Sequence, residues 1–451
     1  MRIGFFLSLL TLAAVAGPTV RPVQEARQKR RARLAEFLKN DYALILGQPF
    51  TDVLQPRQEG HYLYLTGAGE PGGALLMAGK DAKPLTVPGD DAERVVREIL
   101  YVRTGNPVFR QFYGLRLRAD EATARRLGVE STRPAAHFPE VFASRTLATL
   151  LPREARLHLP RYAGLDHATV RELRRRILTE LGKQRPDLRL PPLQSRTPWL
   201  TKDKKRVPSL DREMARLRSV KDAGEIAALR DAIAITLRAF LEALPAIRPD
   251  SSEAAVDGAL LGSVRRQGAE PAYRFVVASG LHGAYPHYFR NDAPLLEGHL
   301  LVIDAGAAVD RYAADVTRTF PVSGRFTKRQ RQVYQAVLEA QKAAIAEVRP
   351  GVTLGKIQLA AHKVLRQASL AKHFIHGISH HVGLDVHDPG PTKLTEGMTI
   401  TVEPGVYLPG EEMGVRIEDI VLVTADGSEN LTQAFPKEID EIEKLLRDSR
   451  K

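Results

Sequence analysis

The segment HLLVIDAG, residues 299–306, decides the fold of the C-terminal half of this chain. Its unbroken aliphatic run predicts a strand that is buried on both faces, and the run ends on the carboxylate of Asp304. The segment YAADVTRTF, residues 312–320, has strand propensity and follows a turn expected at residues 310–311. A hairpin between the two segments would bring Asp304 and Asp315 together.

Two more acids lie in apolar, strand-like surroundings farther along the chain. Glu403 belongs to ITVEPG, residues 400–405, and Glu418 belongs to VRIEDIVLV, residues 415–423. Four carboxylates in one core could not all remain ionised without positive charge among them. Each acid could pair with an arginine instead, but buried charges also coordinate metal. Two divalent cations would neutralise the whole set.

A histidine-rich segment, KHFIHGISHHVGLDVHD, covers residues 372–388 and holds five of the thirteen histidines. Its glycines, and a strand expected at residues 384–387, favour the lining of a site. Within it, His380 is the candidate metal ligand, and His381 is the histidine most typical of an ordinary packing role. One imidazole with four carboxylates suits manganese, cobalt or zinc, and the chain has no cysteine to offer.

Taken in order, these motifs resemble the pita-bread metallopeptidases and, within them, the aminopeptidase P family. The resemblance implies that Asp304 binds one metal ion, that His380 and Glu403 bind a second, and that Asp315 and Glu418 bridge the pair. It further implies attack on the scissile carbonyl by a hydroxide held between the ions, with Glu403 shuttling the proton. The matching motifs are VIDAG (302–306), DVTRTF (315–320), HGISH (376–380), VEPGVY (402–407) and RIED (416–419).

The family also uses residues around the metal ions to hold the proline side of the substrate and the developing oxyanion. The resemblance assigns such roles to His287, His376, His387, Tyr407 and Arg416. For Arg416 alone, an exposed strand arginine would be the ordinary alternative. Groups of this kind orient the metal ligands, and their loss typically costs about 10 to 100-fold.

The expected activity is removal of the N-terminal residue from peptides that carry proline in second position. The expected cofactor is a pair of divalent ions, with manganese preferred over cobalt or zinc. An Xaa-Pro dipeptidase (prolidase) on the same scaffold is the enzymatic alternative. A metal-free peptide-binding relative is the alternative from another class, but the retention of all five ligands argues against it. Family members often form dimers or tetramers, so a homo-oligomer is expected.

The first half of the chain narrows the resemblance. The segment EGHYLYLTGAGE, residues 59–70, is similar to the Tyr-Leu-Thr-Gly segment of the N-terminal domain of aminopeptidase P, here interpreted as an aromatic strand followed by a glycine turn. We therefore expect an α/β (α+β) chain with a smaller N-terminal α/β domain at 17–210 and a pita-bread catalytic domain at 211–440. A charged tail would occupy 441–451, and a helix is predicted from Glu225 to Leu244.

Residues 1–16 predict a secretory signal, because an arginine and a short apolar run precede an Ala-x-Ala site. Export to the periplasm or medium is expected, and an uncleaved anchor is the alternative. No later segment is apolar enough to span a membrane. The net charge of +13 predicts a solvated basic surface. Nucleic-acid binding is not expected, because the densest basic run, residues 202–206, has no interleaved aromatic residue.

Overall fold

The computed structural model describes residues 23–47, 59–70, 72–87, 93–102, 117–135, 146–160, 168–192 and 207–450. The chain forms two compact units, of which one covers Val20–Leu217 and the other contains Arg218–Lys451. The predicted domain boundary at residue 210 coincides with the start of a helix, Leu210–Ser219. The predicted signal segment, residues 1–16, lies outside the described residues.

The strands of the N-terminal unit are β1 Tyr42–Leu46, β2 Ala74–Ala78, β3 Leu85–Val87, β4 Arg94–Val96, β5 Glu98–Val102, β6 Ser131–Pro134 and β7 Leu157–His158. Five of them form a mixed sheet with the order β6-β5-β2-β1-β7, and β3 pairs with β4 outside this sheet. The pairs β1–β2 and β2–β5 are antiparallel, while β1–β7 and β5–β6 are parallel. The helices are α1 Val23–Leu38, α2 Gly60–Thr66, α3 Glu121–Leu127, α4 Ala148–Leu150, α5 Ala168–Gln184 and α6 Leu210–Ser219.

Helix α2 corrects one prediction from the sequence. The aromatic segment is predicted to be a strand followed by a glycine turn, but it forms a helix. The helix is capped at both ends: Glu59 accepts a hydrogen bond from the backbone N–H of Tyr62, and Gly67 ends it at a φ of 68°. Caps of this kind stabilise a short helix, and nearly all of its residues are buried, which removes the periodicity that would identify it.

In the C-terminal unit, β10 (Leu300–Ala305) pairs antiparallel with β13 (Val316–Pro321), and Asp304 stands opposite Thr317. The predicted pairing of these two segments is therefore confirmed. Between them, β11 (Ala307–Val309) pairs with β12 (Tyr312–Ala313) around a turn in which Asp310 and Arg311 have positive φ angles of 49° and 73°. Gly306 is required next to Asp304, since a Cβ there would lie 1.8 Å from the carbonyl oxygen of Ala314.

Strands β14 (Thr399–Val402) and β17 (Asp419–Val423) pair antiparallel, and β15 (Gly405–Leu408) pairs with β16 (Met413–Arg416). Glu403 follows the last residue of β14, and Glu418 precedes the first residue of β17. The remaining strands are β8 Glu270–Pro271 and β9 Val276–Ser279, which pair with β11 and β10, and β18 Ser428–Asn430, which pairs with β17. Each glutamate therefore sits at a strand end, where its carboxylate is free to turn toward a shared centre.

The helices of this unit are α7 Ala223–Ala243, α8 Glu253–Arg266, α9 Lys328–Ala346, α10 Leu354–Gln367 and α11 Ile439–Ser449. Helix α7 confirms the helix predicted from Glu225 to Leu244, and its start two residues earlier is set by a reciprocal capping box between Asp222 and Glu225. The apolar faces of these helices and the strands share one large core. Among the described residues, no helix has both the length and the hydrophobicity needed to cross a bilayer.

Candidate metal centre

The first two acids meet at a tyrosine hydroxyl. The Oη atom of Tyr273 lies 2.6 Å from Oδ1 of Asp304 and 2.5 Å from Oδ1 of Asp315. The β10–β13 pairing fixes this approach, because Asp304 is on β10 and Asp315 immediately precedes β13. The hydroxyl has a single proton, so it can donate to only one of the two carboxylates at a time.

His380 joins the second pair of acids to the first. Its Nε2 atom lies 3.4 Å from Oδ2 of Asp315 and 3.4 Å from Oε1 of Glu403. Ligand atoms of Asp315, His380 and Glu418 all lie within 4.8 Å of one another. The structure thus brings the five predicted ligands, which are spread over more than a hundred positions of sequence, into one cluster.

Hydrogen bonds orient these side chains from behind. The Nδ1 atom of His380 lies 3.0 Å from the carbonyl oxygen of His381, so Nδ1 carries the proton and Nε2 faces the acids. The hydroxyl of Thr317 donates to Oε2 of Glu418 at 2.7 Å, and the hydroxyl of Thr401 lies 3.2 Å from Oε1 of Glu403. An imidazole whose second nitrogen is held by a carbonyl is a common arrangement for a metal ligand.

The acids repel one another in the protein alone. Burial and the charge of Asp315 raise the pKa of Glu418 well above its usual value. The same two effects raise the pKa of Asp304, although Arg416 opposes the rise. They also raise the pKa of Glu403, although His380 opposes it. Burial lowers the pKa of His380, but its contacts with Asp315 and Glu403 raise it to about 9 overall. Without added positive charge the cluster must therefore retain protons.

This donor set fits divalent cations. The ligand atoms are carboxylate oxygens and one imidazole nitrogen, the combination preferred by hard or borderline ions. Positive charge placed among them would offset the repulsion that otherwise holds protons on the acids. The cluster of Asp304, Asp315, His380, Glu403 and Glu418 is therefore the candidate metal centre.

A hydrogen-bonded chain borders the cluster. Arg416 donates through Nη2 to Oδ2 of Asp304 at 2.6 Å and through Nη1 to the hydroxyl oxygen of Tyr407 at 3.0 Å. That hydroxyl lies 2.8 Å from Nε2 of His376, whose Nδ1 lies 2.9 Å from the carbonyl oxygen of Gly377. Burial and the charge of Arg416 lower the pKa of His376 to about 4, so its imidazole is neutral. Arg416 is buried and paired, which excludes the alternative of an exposed strand arginine.

His387 and His287 line the same region from exposed positions. The ring of His387 meets the ring of His380 edge-on, with centroids 4.4 Å apart. His287 lies on a loop that Arg416 reaches, since Nη1 of Arg416 is 3.4 Å from the carbonyl oxygen of Pro286. All the residues that the sequence assigned to substrate binding therefore belong to segments that surround the cluster.

Comparison with known proteins identifies the family. A profile of metallopeptidase family M24 matches residues 227–425, and a profile of the aminopeptidase P N-terminal domain matches residues 27–149. The Xaa-Pro aminopeptidase of Haemophilus influenzae is 31% identical over 467 residues, which cover 94% of this chain and 97% of that protein. This chain belongs to the aminopeptidase P group of family M24.

Two further relatives place the chain within M24. A solved structure described as zinc-substituted Escherichia coli aminopeptidase P in complex with product superposes with a TM-score of 0.77 at 28% identity, over 95% of this chain and 99% of that one. The Xaa-Pro dipeptidase of Pyrococcus furiosus is 38% identical over 224 residues, which cover 48% of this chain and 64% of that protein. Similarity to the aminopeptidases therefore extends through the N-terminal domain.

Some features of this M24 centre were missed or misplaced by the sequence interpretation. Tyr273, Thr317 and Thr401 contact candidate ligands, but their residue types gave no signal of a metal site. The strand predicted at residues 384–387 is wrong, because the chain bends there between the bridged residues His381 and Asp388. The ordinary packing role predicted for His381 is confirmed, because the residue is buried and its Nε2 donates to the carbonyl oxygen of Pro391 at 2.8 Å. It packs on Gly390, where a Cβ would lie 2.2 Å from its ring.

Behind the M24 centre, a buried charge network holds the strands that carry the two glutamates. Arg318 donates to the carbonyl oxygens of Thr317 and Glu418 at 2.9 and 2.6 Å and to Oδ1 of Asp419 at 2.7 Å. Lys437 donates to Oδ2 of Asp419 and, at 2.9 Å, to Oε1 of Gln341. Burial raises the pKa of Asp419, but Arg318 and Lys437 lower it to about 2, so the carboxylate stays ionised.

Proposed function

We propose that this protein is an Xaa-Pro aminopeptidase that depends on two divalent metal ions. The observation that carries the proposal is the convergence of Asp304, Asp315, His380, Glu403 and Glu418 on one cluster whose like charges need added cations. Similarity to the Haemophilus influenzae Xaa-Pro aminopeptidase over 97% of that enzyme's length supports the substrate class.

The five residues would hold the ions. Divalent ions bound there would lower the pKa of water and polarise the scissile carbonyl, which is the chemistry that peptide hydrolysis needs. Around them, Arg416 fixes Asp304 and Tyr407 by hydrogen bonds. The neutral imidazole of His376 accepts from the Tyr407 hydroxyl, which itself accepts from Arg416, so these two side chains hold the hydroxyl in place at the edge of the cluster.

Cleavage of Xaa-Pro dipeptides is the second candidate, and it rests on the 38% identity with the Pyrococcus furiosus dipeptidase. That similarity covers only 48% of this chain, whereas similarity to the aminopeptidases includes the N-terminal domain. We therefore favour the aminopeptidase. A metal-free binding role is disfavoured, because the five clustered ligands are all retained.

Side-by-side hydrolysis of an Xaa-Pro-Xaa tripeptide and an Xaa-Pro dipeptide tests the assignment. The purified protein should release the first residue of the tripeptide, and a chelator should abolish this release. Asp315→Asn should remove it as well, since Asp315 contacts both Tyr273 and His380. Cleavage of the dipeptide alone would identify a dipeptidase, and no cleavage of either peptide by metal-supplied protein would favour the binding role.

We further propose manganese as the native metal, on the basis of the oxygen-rich donor set. The test is elemental analysis of protein purified without chelator, and zinc or cobalt at two equivalents would overturn the proposal. A homo-oligomer, as a dimer or tetramer, is proposed from the family resemblance, and light scattering would reveal a monomer if this is wrong.

Export is proposed from the sequence pattern of residues 1–16, and peptides in the periplasm or medium would then be the substrates. N-terminal sequencing of the protein from its native host should give a chain that begins after Ala16. A chain that retains residues 1–16 in a membrane fraction would support an uncleaved anchor instead.

A further inference from the structure

In the loop that carries His287, beside the metal centre, exposed and less exposed side chains alternate. The loop runs from Gly280 to Asp292, and Tyr285, His287 and Phe289 are exposed at alternate positions along it. The rings of His287 and Phe289 stack with centroids 5.7 Å apart. Between them, Tyr288 turns the other way and stacks on His282 at 3.9 Å. The loop is thus held on one side and offers aromatic and imidazole groups on the other.

Close backbone packing ties this loop to the strand that carries Arg416. A Cβ at Gly414 would lie 1.8 Å from the carbonyl oxygen of Gly283, so β16 and the loop approach too closely for any side chain there. The contact between Arg416 and the carbonyl oxygen of Pro286, at 3.4 Å, lies on the same side. The part of the loop next to His287 therefore packs directly against the strand that carries Arg416.

The two ends of the loop converge on one buried carboxylate. Glu253, the first residue of α8, is 0% exposed. Its Oε1 atom accepts from the backbone N–H and the hydroxyl of Ser279, at 2.6 and 3.0 Å, just before the loop begins. Its Oε2 atom accepts from the backbone N–H of Ala293, at 3.0 Å, just after the loop ends. One side chain therefore fixes the span between these two points.

Glu253 also lies near His282 and Asp292, and ligand atoms of the three residues are within 4.8 Å of one another. A cation site does not explain the group, because both oxygens of Glu253 are occupied by N–H and O–H donors. Nδ1 of His282 lies 3.2 Å from Oε1 of Glu253, and Asp292 accepts from the hydroxyl of Tyr288 at 2.7 Å. These contacts belong to the inner side of the loop and add to its anchoring.

We propose that Glu253 is a positioning residue for substrate binding, which clasps both ends of the 280–292 loop and so sets the place of His287 against the peptide. The proposal rests on the proposed aminopeptidase function. It assigns Glu253 no contact with substrate or metal. Its loss should weaken peptide binding while metal binding and the chemical step are retained.

Glu253→Gln tests the proposal with little change in volume. An amide would direct N–H donors at a backbone N–H that is already a donor, and an unsatisfied buried donor of this kind is costly. The KM for an Xaa-Pro-Xaa tripeptide should rise by about 10-fold or more, as expected for loss of a residue that orients a site, while kcat and metal content remain near wild type. Amide hydrogen exchange at residues 280–292 should become faster.

Two control variants separate positioning from simple destabilisation. Leu260→Ala removes a fully buried side chain from the same helix and should lower stability without raising KM. Glu297→Gln makes the same chemical change at an exposed site nearby and should change nothing. An unchanged KM in Glu253→Gln would overturn the inference. Inactivity of the wild-type protein would overturn the proposed function instead. The exchange experiment would still show whether Glu253 fixes the two ends of the 280–292 loop.

Discussion

At the scale of single residues, Tyr273 shows how much a site can owe to a side chain that is not a ligand. Its hydroxyl contacts two candidate ligands, Asp304 and Asp315, at 2.6 and 2.5 Å. Burial and the charges of Asp304 and Asp315 raise its pKa well above the usual value, so the phenol stays protonated. It therefore supplies one hydrogen bond that is shared by the two carboxylates.

Tyr273→Phe should weaken metal binding by about 10-fold, because the ring still packs but the two carboxylates lose their shared donor. The measurement is competition with a metal-binding dye, performed alongside tripeptide hydrolysis. Tyr312→Phe is the matched control. The Tyr312 hydroxyl donates to Oε1 of Glu225 at 2.8 Å, and Glu225 is not a candidate ligand. Equal metal affinity in Tyr273→Phe and wild type would show that the hydroxyl contributes nothing to the centre.

The four acids among the candidate ligands were predictable because each lies in a strand-like, largely apolar run, where an unpaired charge is costly. His380 was predictable from the histidine-rich segment 372–388. Tyr273 and Thr317 were not predictable in this way. A tyrosine or threonine side chain is satisfied by ordinary packing, so its residue type carries no sign of a charged partner. For His381, the ordinary packing role predicted from the sequence is confirmed, because its ring is buried and packs on Gly390.

At the scale of elements, the prediction succeeded where the hydrophobic pattern was long. The aliphatic run of β10 and the periodicity of α7 each fixed an element, although their boundaries moved by a residue or two. The prediction was wrong for helix α2, because seven residues are too few to show helical periodicity and the caps at its two ends decide its conformation. The strand predicted at residues 384–387 was wrong because alternating apolar residues can also line a bend.

A side chain of helix α9 contacts the backbone next to both Glu403 and Glu418. The side-chain amide of Gln341, which is 0% exposed, lies 3.4 Å from the carbonyl oxygen of Val402 and 3.3 Å from that of Ile417. These residues immediately precede Glu403 and Glu418. Lys437 holds the other end of the amide through its bond to Oε1, which leaves the amide N–H groups directed at the two carbonyls.

Gln341→Leu should therefore loosen the spacing of Glu403 and Glu418 and weaken metal binding by about 10-fold. Lys437→Met should have an effect in the same direction, since the Gln341 amide would lose its orientation. Gln335→Leu, on the exposed side of the same helix, is the control. Metal titration by calorimetry decides the point, and wild-type affinity in both Gln341→Leu and Lys437→Met would refute the coupling.

At the scale of the whole molecule, the sequence predicted two domains and the order of their motifs. It could not derive from physics that segments separated by more than a hundred positions meet, because this depends on the packing of whole sheets. The order of motifs supplied that information through the family resemblance.

The C-terminal unit should lose stability in acid through Asp388. Burial raises the pKa of Asp388, but Arg218 and Lys221 lower it overall from 3.8 to about 2. A folded-state pKa below the unfolded value means that the stabilisation is present above about pH 4 and is lost as the pH falls toward 2. The difference corresponds to about 2 kcal/mol of unfolding free energy.

Asp388→Asn should remove this part of the acid dependence in urea titrations between pH 2 and 5. At neutral pH the variant should be less stable by about 3 to 5 kcal/mol, because Arg218 and Lys221 lose their buried counter-charge. Asp440→Asn is the control, since the Asp440 side chain is 92% exposed. An acid dependence that is identical in Asp388→Asn and wild type would contradict the assignment.

The most direct test of the central claim is a titration of chelator-treated protein with Mn²⁺, with bound metal and tripeptide hydrolysis followed together. The protein should bind two ions per chain and recover hydrolysis as they bind, while Asp315→Asn should do neither. Hydrolysis that persists in chelator, or that Asp315→Asn retains in full, would contradict the conclusion that these five residues form a catalytic metal centre.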